Sequence, residues 1–420
     1  MTELDHTAAA SALARLVRGE GRAVLATLTR QLGNLALAED AVQEAALQAL
    51  TTWTRDGVPA NPRAWLTTAA RHRAIDRIRR ESARSDKEHE AVRMLQREPE
   101  TPNESMVHDD LLRLVFTCCH PSLSIDTQVA LSLHTLCGLS TPEVARALIV
   151  NEATMAKRLT RARQKIALAA IPYRVPPDHE LPDRLAAVTT TIYLVFNEGY
   201  AATSGTDHLR SDLADEAIRL GRLLLKLLPG EPSLLGLLAL MLLQHARRDA
   251  RVDATGSLVL LAAQDRSRWD HDAIAEGVVL VGEGLRRTPE WPNPYVVQAA
   301  IAACHGLAAS YPETDWVAIV SWYDVLLTVQ DTSVVRLNRA AAIAERDGPG
   351  PSLVLVDQLQ GLDQYPLWHA ARAELLERLG RPADAANALR AALELPLTDP
   401  VRNHLTNRLP HSPPPAPKMP

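Results

Sequence analysis

The chain has few aromatic residues: 4% of 420, with only two phenylalanines. It has five lysines against 40 arginines, a bias that runs along the whole length, so arginine richness alone is poor evidence for nucleic acid. Four cysteines, Cys118, Cys119, Cys137 and Cys304, give no disulfide framework, since adjacent cysteines cannot easily bridge. "CCH" at 118–120 lacks a second ligand pair at zinc-like distance, so core thiols and no metal are expected. The longest apolar run, "LLGLLALMLL" at 234–243, is too short to cross a bilayer and reads as a buried helix. With no signal peptide at the start, a soluble cytoplasmic protein is expected. A glycine-rich phosphate loop, HExxH and a nucleophile motif are all missing, and "DGPG" at 347–350 is only a turn. The expectation is a protein that is not an enzyme and needs no cofactor.

What is present is helical and unevenly charged. Alanine, leucine and arginine dominate, which favours helices. Residues 1–175 carry 23 basic and 20 acidic side chains, whereas residues 176–420 carry 22 and 30. A near-balanced front half is thus joined to an acidic back half. The positive charge is concentrated further: from Arg71 to Arg84 there are six arginines against Asp76 and Glu81.

In the front half, residues 8–53 read as two or three helices. Along "LALAEDAVQEAALQALTTW", an apolar stripe runs through Leu37, Ala41, Ala45 and Leu47 to Leu50, with Glu39, Asp40, Gln43 and Glu44 assigned to the opposite face. "TRDGVPANP" (54–62) is a loop. A helix from about Pro62 to Ser82 follows, with Trp65, Ala69, Ile75 and Ile78 available for packing. The charged, aperiodic stretch to residue 105 reads as a flexible linker.

A second unit begins near residue 106. Ser140, Pro142 and Glu143 form a helix-start signature, the serine capping and the glutamate reaching back. That helix ends near Leu148. Asn151 can cap the next, in which Met155, Leu159, Ala162 and Ile166 form one stripe and five basic residues lie between Lys157 and Lys165 without an acid. A short helix, a tight turn and an apolar-backed basic helix make a helix-turn-helix pattern. Its second helix would enter the major groove, where Lys and Arg reach guanine edges or phosphates.

After a proline-rich hinge at 171–182 the chain is helical to about residue 408. Amphipathic helices end in Leu-Pro at Pro229 and Pro396, and Pro232 and Pro400 open the next ones. Gly348 and Gly380 stand 32 residues apart in loosely similar segments. A period near that of tetratricopeptide repeats predicts an α-solenoid, with plain helical bundling as the alternative. "FNEGYAATSG" places Asn197, Glu198, Gly199, Tyr200 and Gly205 where two helices must turn. It reads either as a turn or as a contact between the extension and the helix-turn-helix. The tail "PHSPPPAPKMP" should be disordered.

On these motifs the chain resembles the sigma-70 family. "AEDAVQEAALQAL..W" (38–53) and "NPRAWLTTAARHRAIDRIRR" (61–80) resemble region 2, and the helix-turn-helix at 139–166 resembles region 4. The short linker looks like the extracytoplasmic-function group, and the extension is similar to the subgroup with a C-terminal tetratricopeptide-like domain. The resemblance implies an all-α protein: a region 2 domain at 1–85, a linker at 86–105, a region 4 domain at 106–172, a helical-repeat domain at 173–408 and a tail at 409–420.

It also implies partners and roles. Core RNA polymerase would be met at its β′ clamp by Glu39, Asp40, Gln43 and Glu44, and at its β flap. Promoter DNA at −10 would meet the loop with Arg55, Asn61 and Arg63, a loop being the sensible place to hold an unstacked base. Arg71, His72, Arg73, Arg77, Arg79 and Arg80 would track phosphates beside the melted strand. Many relatives have asparagine where this chain has His72. Asp76 is expected to pair with Arg80 at i,i+4. At −35 the expected contacts are Glu152, Thr154, Lys157, Arg158 and Arg161. Asn197, Glu198, Gly199 and Tyr200 are candidates for an intramolecular contact between the C-terminal domain and the sigma domains. An unknown regulatory protein or peptide is a further expected partner, with no membrane. The competing reading is a helix-turn-helix regulator that binds operators without polymerase, its solenoid acting as a sensor.

Overall fold

A computed structural model describes residues 21–81, 104–148, 150–169, 171–200, 211–253 and 257–409. Most of the expected linker, the tail from residue 410, Gly205 and the side chains of Arg80 and Glu198 lie outside the described residues, and with Arg80 goes its expected pair with Asp76. The chain is all-α and divides into two compact units, Met1–Leu194 and Val195–Pro420.

The first unit opens with helical residues 21–32 (α1), followed by α2 (Leu35–Asp56) and α3 (Pro62–Glu81). Asn34 caps α2, its Oδ1 accepting from the Leu37 amide at 3.1 Å, and Gly57 at φ +84° ends it. Small residues on one side of α2 (Ala38, Ala41, Ala45, Ala49) let α3 approach closely. Leu66, Ala70, Ala74, Ile75 and Ile78 are the buried residues of α3. Trp53 and Trp65 close the far end edge to face, 5.5 Å between centroids.

Helices α4 (Glu104–Cys118), α5 (Ile125–Leu131), α6 (Thr141–Ala147) and α7 (Glu152–Leu168) follow, with a π-helical turn at Ser132–Leu136. Cys118, Cys119 and Cys137 are buried. Burial pushes the Cys118 thiol well up and the Cys119 thiol up, so both stay protonated core groups. Helix α8 (Leu181–Tyr200) starts in this unit. Its Leu185, Val188 and Ile192 are buried, its Thr191 hydroxyl donates to Gln128 Oε1 at 3.1 Å, and Arg184 donates to the Phe116 carbonyl. The division between units therefore falls beyond the hinge at 171–182, within α8.

The second unit is a succession of helices: α9 (Ser211–Leu227), α10 (Pro232–His245), α11 (His271–Arg287), α12 (Pro294–Leu307), α13 (Trp316–Val329), α14 (Ser333–Asp347), α15 (Pro349–Asp357), α16 (Pro366–Arg378), α17 (Pro382–Leu393) and α18 (Asp399–Arg408). Each packs on its neighbours in sequence, and α10, buried at every residue from Leu234 to Leu243, is wrapped by α9, α11 and α12. Apolar clusters follow one another along the array: Val297, Ile319 and Ile343 in one, Leu353, Val356 and Leu376 in the next, Ala388, Leu389 and Leu405 in the last. Gly348 (φ +94°) and Gly380 (φ +71°) end α14 and the turn after α16, a conformation glycine adopts without strain. This is the solenoid-like arrangement expected from the repeat.

Candidate nucleic-acid and polymerase interface

The helix-turn-helix is built as its caps dictate. Ser140 Oγ accepts from the Glu143 amide at 3.4 Å while Glu143 Oε2 accepts from the Ser140 amide at 2.7 Å, closing the capping box on α6. Asn151 Oδ1 accepts from the Ala153 amide at 2.9 Å and starts α7. Met155, Leu159, Ala162 and Ile166 are buried, so the basic side of α7 is presented outward.

That side forms one wall of a groove of ≈ 390 Å³, lined by Thr154, Lys157, Arg158, Arg161 and Lys165, with Ser124 and Thr127 opposite. Thr154, Lys157 and Arg161 are exposed and Arg158 is half-buried. Glu152 is exposed in the first turn of α7 but does not line the groove. A carboxylate there suits the helix dipole and would repel a phosphate. Lys165, on the same basic face but outside the residues expected to contact −35, also lines the groove, and its ammonium donates to the Ser122 carbonyl.

In the α2–α3 pair, several arginines already have partners. Arg77 donates to Asp40 at 2.7 Å and Arg73 to Gln48 at 3.0 Å. Arg55 pairs with its neighbour Asp56 at 2.7 Å, and each holds the other in its charged form. Asn61 Oδ1 accepts from the Ala64 amide at 3.0 Å, so the residue expected to line a base pocket caps α3. His72 and Arg79 are exposed, and Arg63 and Arg71 are half-buried. Trp65 packs against Trp53 and Ala49, and Leu66, Ala70 and Ala74, which the sequence stripe did not name, are buried with Ile75 and Ile78.

Of the four residues placed on the polar face of α2, Gln43 is exposed and Asp40 and Glu44 are half-buried, but Glu39 is not on that face. Its side chain is 6% exposed; it accepts from Thr135 Oγ1 at 2.8 Å and from the Arg163 guanidinium. The carboxylate on the inner face receives its donors from the π-helical turn and from α7. Two further ties join the same parts of the unit. Asp110, fully buried, receives Arg30 from α1 at 2.8 Å and Arg113 at 3.0 Å. Tyr173 donates towards the carbonyls of Ala26 (2.8 Å) and Asp110 (3.0 Å).

In the second unit, Asn197, Gly199 and Tyr200 lie inside the last turn of α8 and not between two helices, since the helix runs unbroken to Tyr200. The Tyr200 hydroxyl accepts from Arg247, and the Arg251 guanidinium sits 3.7 Å from the ring centroid. Burial would raise that hydroxyl, but Arg247 and Arg251 together bring it below its usual value. Sequence reasoning missed both arginines, whose only signal was their place in "ARRDAR" after a buried helix.

Residues 16–84 match sigma-70 region 2 and residues 113–166 match sigma-70 region 4. Residues 184–284 match a family of unknown function, DUF6596. The two sigma-70 regions are of a kind that binds DNA and RNA polymerase and carries no catalytic chemistry, which defines the class. The chain contains sigma-70 region 2 and region 4 domains and an added C-terminal helical domain. It is 44% identical over 377 residues to an uncharacterized protein of Rhizobium meliloti (strain 1021), covering 88% of this chain and 89% of that one. No helix among the described residues is long and apolar enough to cross a membrane.

Proposed function

We propose that this protein is an RNA polymerase sigma factor of the extracytoplasmic-function group. It docks on core polymerase, directs it to promoters and initiates transcription in the cytoplasm. The observation that carries the reading is the α7 groove: four basic side chains and a threonine on one outward face, backed by a buried stripe and preceded by two capped helix starts. That geometry suits a major-groove contact at the −35 element through Thr154, Lys157, Arg158 and Arg161. The outward residues of α3, Arg71, His72 and Arg79, suit the phosphates near the −10 element. Asp40, Gln43 and Glu44 offer acceptors to a basic clamp surface of the polymerase.

The C-terminal solenoid, tetratricopeptide-like in its period, regulates or supports this activity and offers a surface for a protein or peptide. Run-off transcription with purified core polymerase, on the promoter upstream of the protein's own gene, tests the reading. The full chain should yield a discrete transcript. A version ending at Tyr200, which keeps the whole of α8, reports whether the solenoid is required or inhibitory. Failure of the full chain to bind core polymerase would sink the sigma reading and favour an operator-binding regulator.

A further inference from the structure

Two adjacent arginines after α10 have opposite surroundings. Arg248 lies 3.9 Å from Asp249 and 3.5 Å from Asp270, so carboxylates meet its charge. Arg247 donates from Nη2 to the Tyr200 hydroxyl and, at 2.7 Å, to Gln244 Oε1, both neutral groups. Its Nε and Nη1 take no part in either bond. Arg266, 8% exposed, donates to the carbonyls of His305 (2.7 Å) and Ala308 (2.6 Å) and to Thr314 Oγ1 (3.2 Å), again all neutral. The guanidiniums of Arg247 and Arg266 stand over one ring, that of Trp269, at 5.9 and 4.7 Å from its centroid. Arg251, also buried, stacks on Tyr200 in the same cluster.

Like charges gathered in a protected place are costly without a counter-charge. The aromatic faces soften that cost but do not cancel it. Two titratable neighbours register the excess. Burial, then the charges of Arg247 and Arg266, bring His305 down to about 4. At Tyr200, burial acts upward, and Arg247 with Arg251 overrides it. Glu313 offsets only part of what burial and Arg247 do to Arg266. Hydrogen bonding is also incomplete here: Trp269 Nε1 and His305 Nδ1 are buried without a partner among the described residues, and Trp269 is only 3% exposed. An indole N–H can only donate. The cluster therefore presents donors and positive charge, and what would complete it is an acceptor of negative charge.

We propose that Arg247, Arg266 and the Trp269 indole N–H form an anion site in the second unit, and that its ligand carries a phosphoryl group. Two guanidiniums and an N–H gathered at one ring suit a group with several oxygens and nearly two charges. A carboxylate offers two oxygens and one charge, and would leave part of the cluster unmet. Arg266, buried and tied to the end of α12, is the fixed member. Arg247 is half-buried, and its Nε and Nη1 supply the donors that close on the ligand. All three residues fall within 184–284, the stretch that matches the family of unknown function. The inference does not depend on the sigma reading: it gives the added helical domain a small-molecule ligand, whatever the first unit binds. Inorganic phosphate and a phosphate monoester share the required chemistry.

The test titrates the full chain with inorganic phosphate and with adenosine monophosphate at fixed ionic strength, by calorimetry. At ten times its Kd, the bound probe should raise the thermal transition of the second unit by about 3–6 °C and leave that of the first unit unmoved. Arg247→Gln, which keeps bulk and removes the charge, should weaken binding at least about tenfold. Trp269→Phe, which keeps a ring and removes the N–H, should weaken it by about threefold to tenfold. Lys157→Ala combined with Arg161→Ala, in the α7 groove, should leave it unchanged. Tighter binding of the monoester would make the ligand a phosphorylated metabolite, and equal or weaker binding would make it free phosphate; both support the site. Binding of neither probe overturns it. So does binding that survives Arg247→Gln and is lost in the groove variant, because the phosphate would then sit on α7. If Arg247→Gln folds poorly, Arg247→Lys, which keeps the charge and loses the fork, should weaken binding by about threefold. The wild-type transitions decide independently of any variant: a shift confined to the first unit, or no shift, overturns the proposal.

Discussion

The two units differ in how residues distant in sequence are tied. In the first, residues far apart in sequence are tied by individual polar contacts: Arg163 to Glu39, Arg30 to Asp110, Tyr173 to Ala26. In the second, each helix buries an apolar face against the next, and the clusters hand over from Val297 and Ile343 to Leu353 and Leu376 to Leu389 and Leu405. Apolar burial is non-directional and cumulative, so such an array is hard to open at one point. Polar ties are few, directional and exchangeable. The first unit also buries Leu28, Leu66, Leu114, Phe116 and Leu133, so its polar ties stand beside apolar packing, whereas the second unit is ordered by apolar packing along the chain.

If packing governs the second unit, the largest effect should come from filling its tightest approach. A Cβ on Gly236 of α10 would lie 2.4 Å from the Val296 backbone nitrogen and 2.7 Å from the Tyr295 carbonyl carbon. Backbone cannot yield as a side-chain tip can. Gly236→Ala should therefore cost about 3 kcal/mol and lower the transition of the second unit by about 6–12 °C. Scanning calorimetry should show this with the first unit's transition unmoved, and a fall of both together would break the comparison.

Within each helix the sequence was a good guide, because caps and periodicity are local. The Ser140–Glu143 box, the Asn151 cap, the buried stripe of α7, the buried α10 and the glycine ends at 348 and 380 all follow from residue type and spacing. Glu39 was misplaced because a helix has no intrinsic inside at its polar edge; Thr135, 96 residues away, and Arg163, 124 away, decide it. The same reason hid the Tyr200–Arg251 stack, whose partners are 51 residues apart.

A smaller and pH-dependent effect concerns His305 of α12. Burial, then the charges of Arg247 and Arg266, bring it from its usual value to about 4. The fold accommodates the neutral ring, so the contribution is complete above pH 6.5 and is lost as pH falls towards 4. The second unit should lose about 3 kcal/mol over that window. Chemical denaturation at several pH values should show the loss in wild type and a flatter profile in His305→Gln. In the first unit, Tyr173→Phe removes one hydroxyl that serves two carbonyls, and burial keeps that hydroxyl protonated. It should cost about 1–2 kcal/mol, confined to the first unit's transition. A loss much beyond that would mean that the regions share more apolar packing than the polar ties describe.

The smallest effect separates the repeat from what stabilises it. Arg339 pairs with Asp324 at 2.6 Å, and Arg372 pairs with Asp357 at 2.6 Å. Both acids and both arginines are 33 residues apart, the same separation as in the Arg378–Glu345 pair, so the solenoid's period is written in its surface charges. Yet the acids are about half exposed, at 54% and 43%, and water competes for them. Arg339→Ala and Arg372→Ala should each cost less than about 0.5 kcal/mol, and the double variant should equal their sum within about 0.3–0.5 kcal/mol. Urea unfolding in low and high salt measures both. Losses above about 1 kcal/mol, or a strong salt dependence, would show that charge holds the array together as well as marking its period.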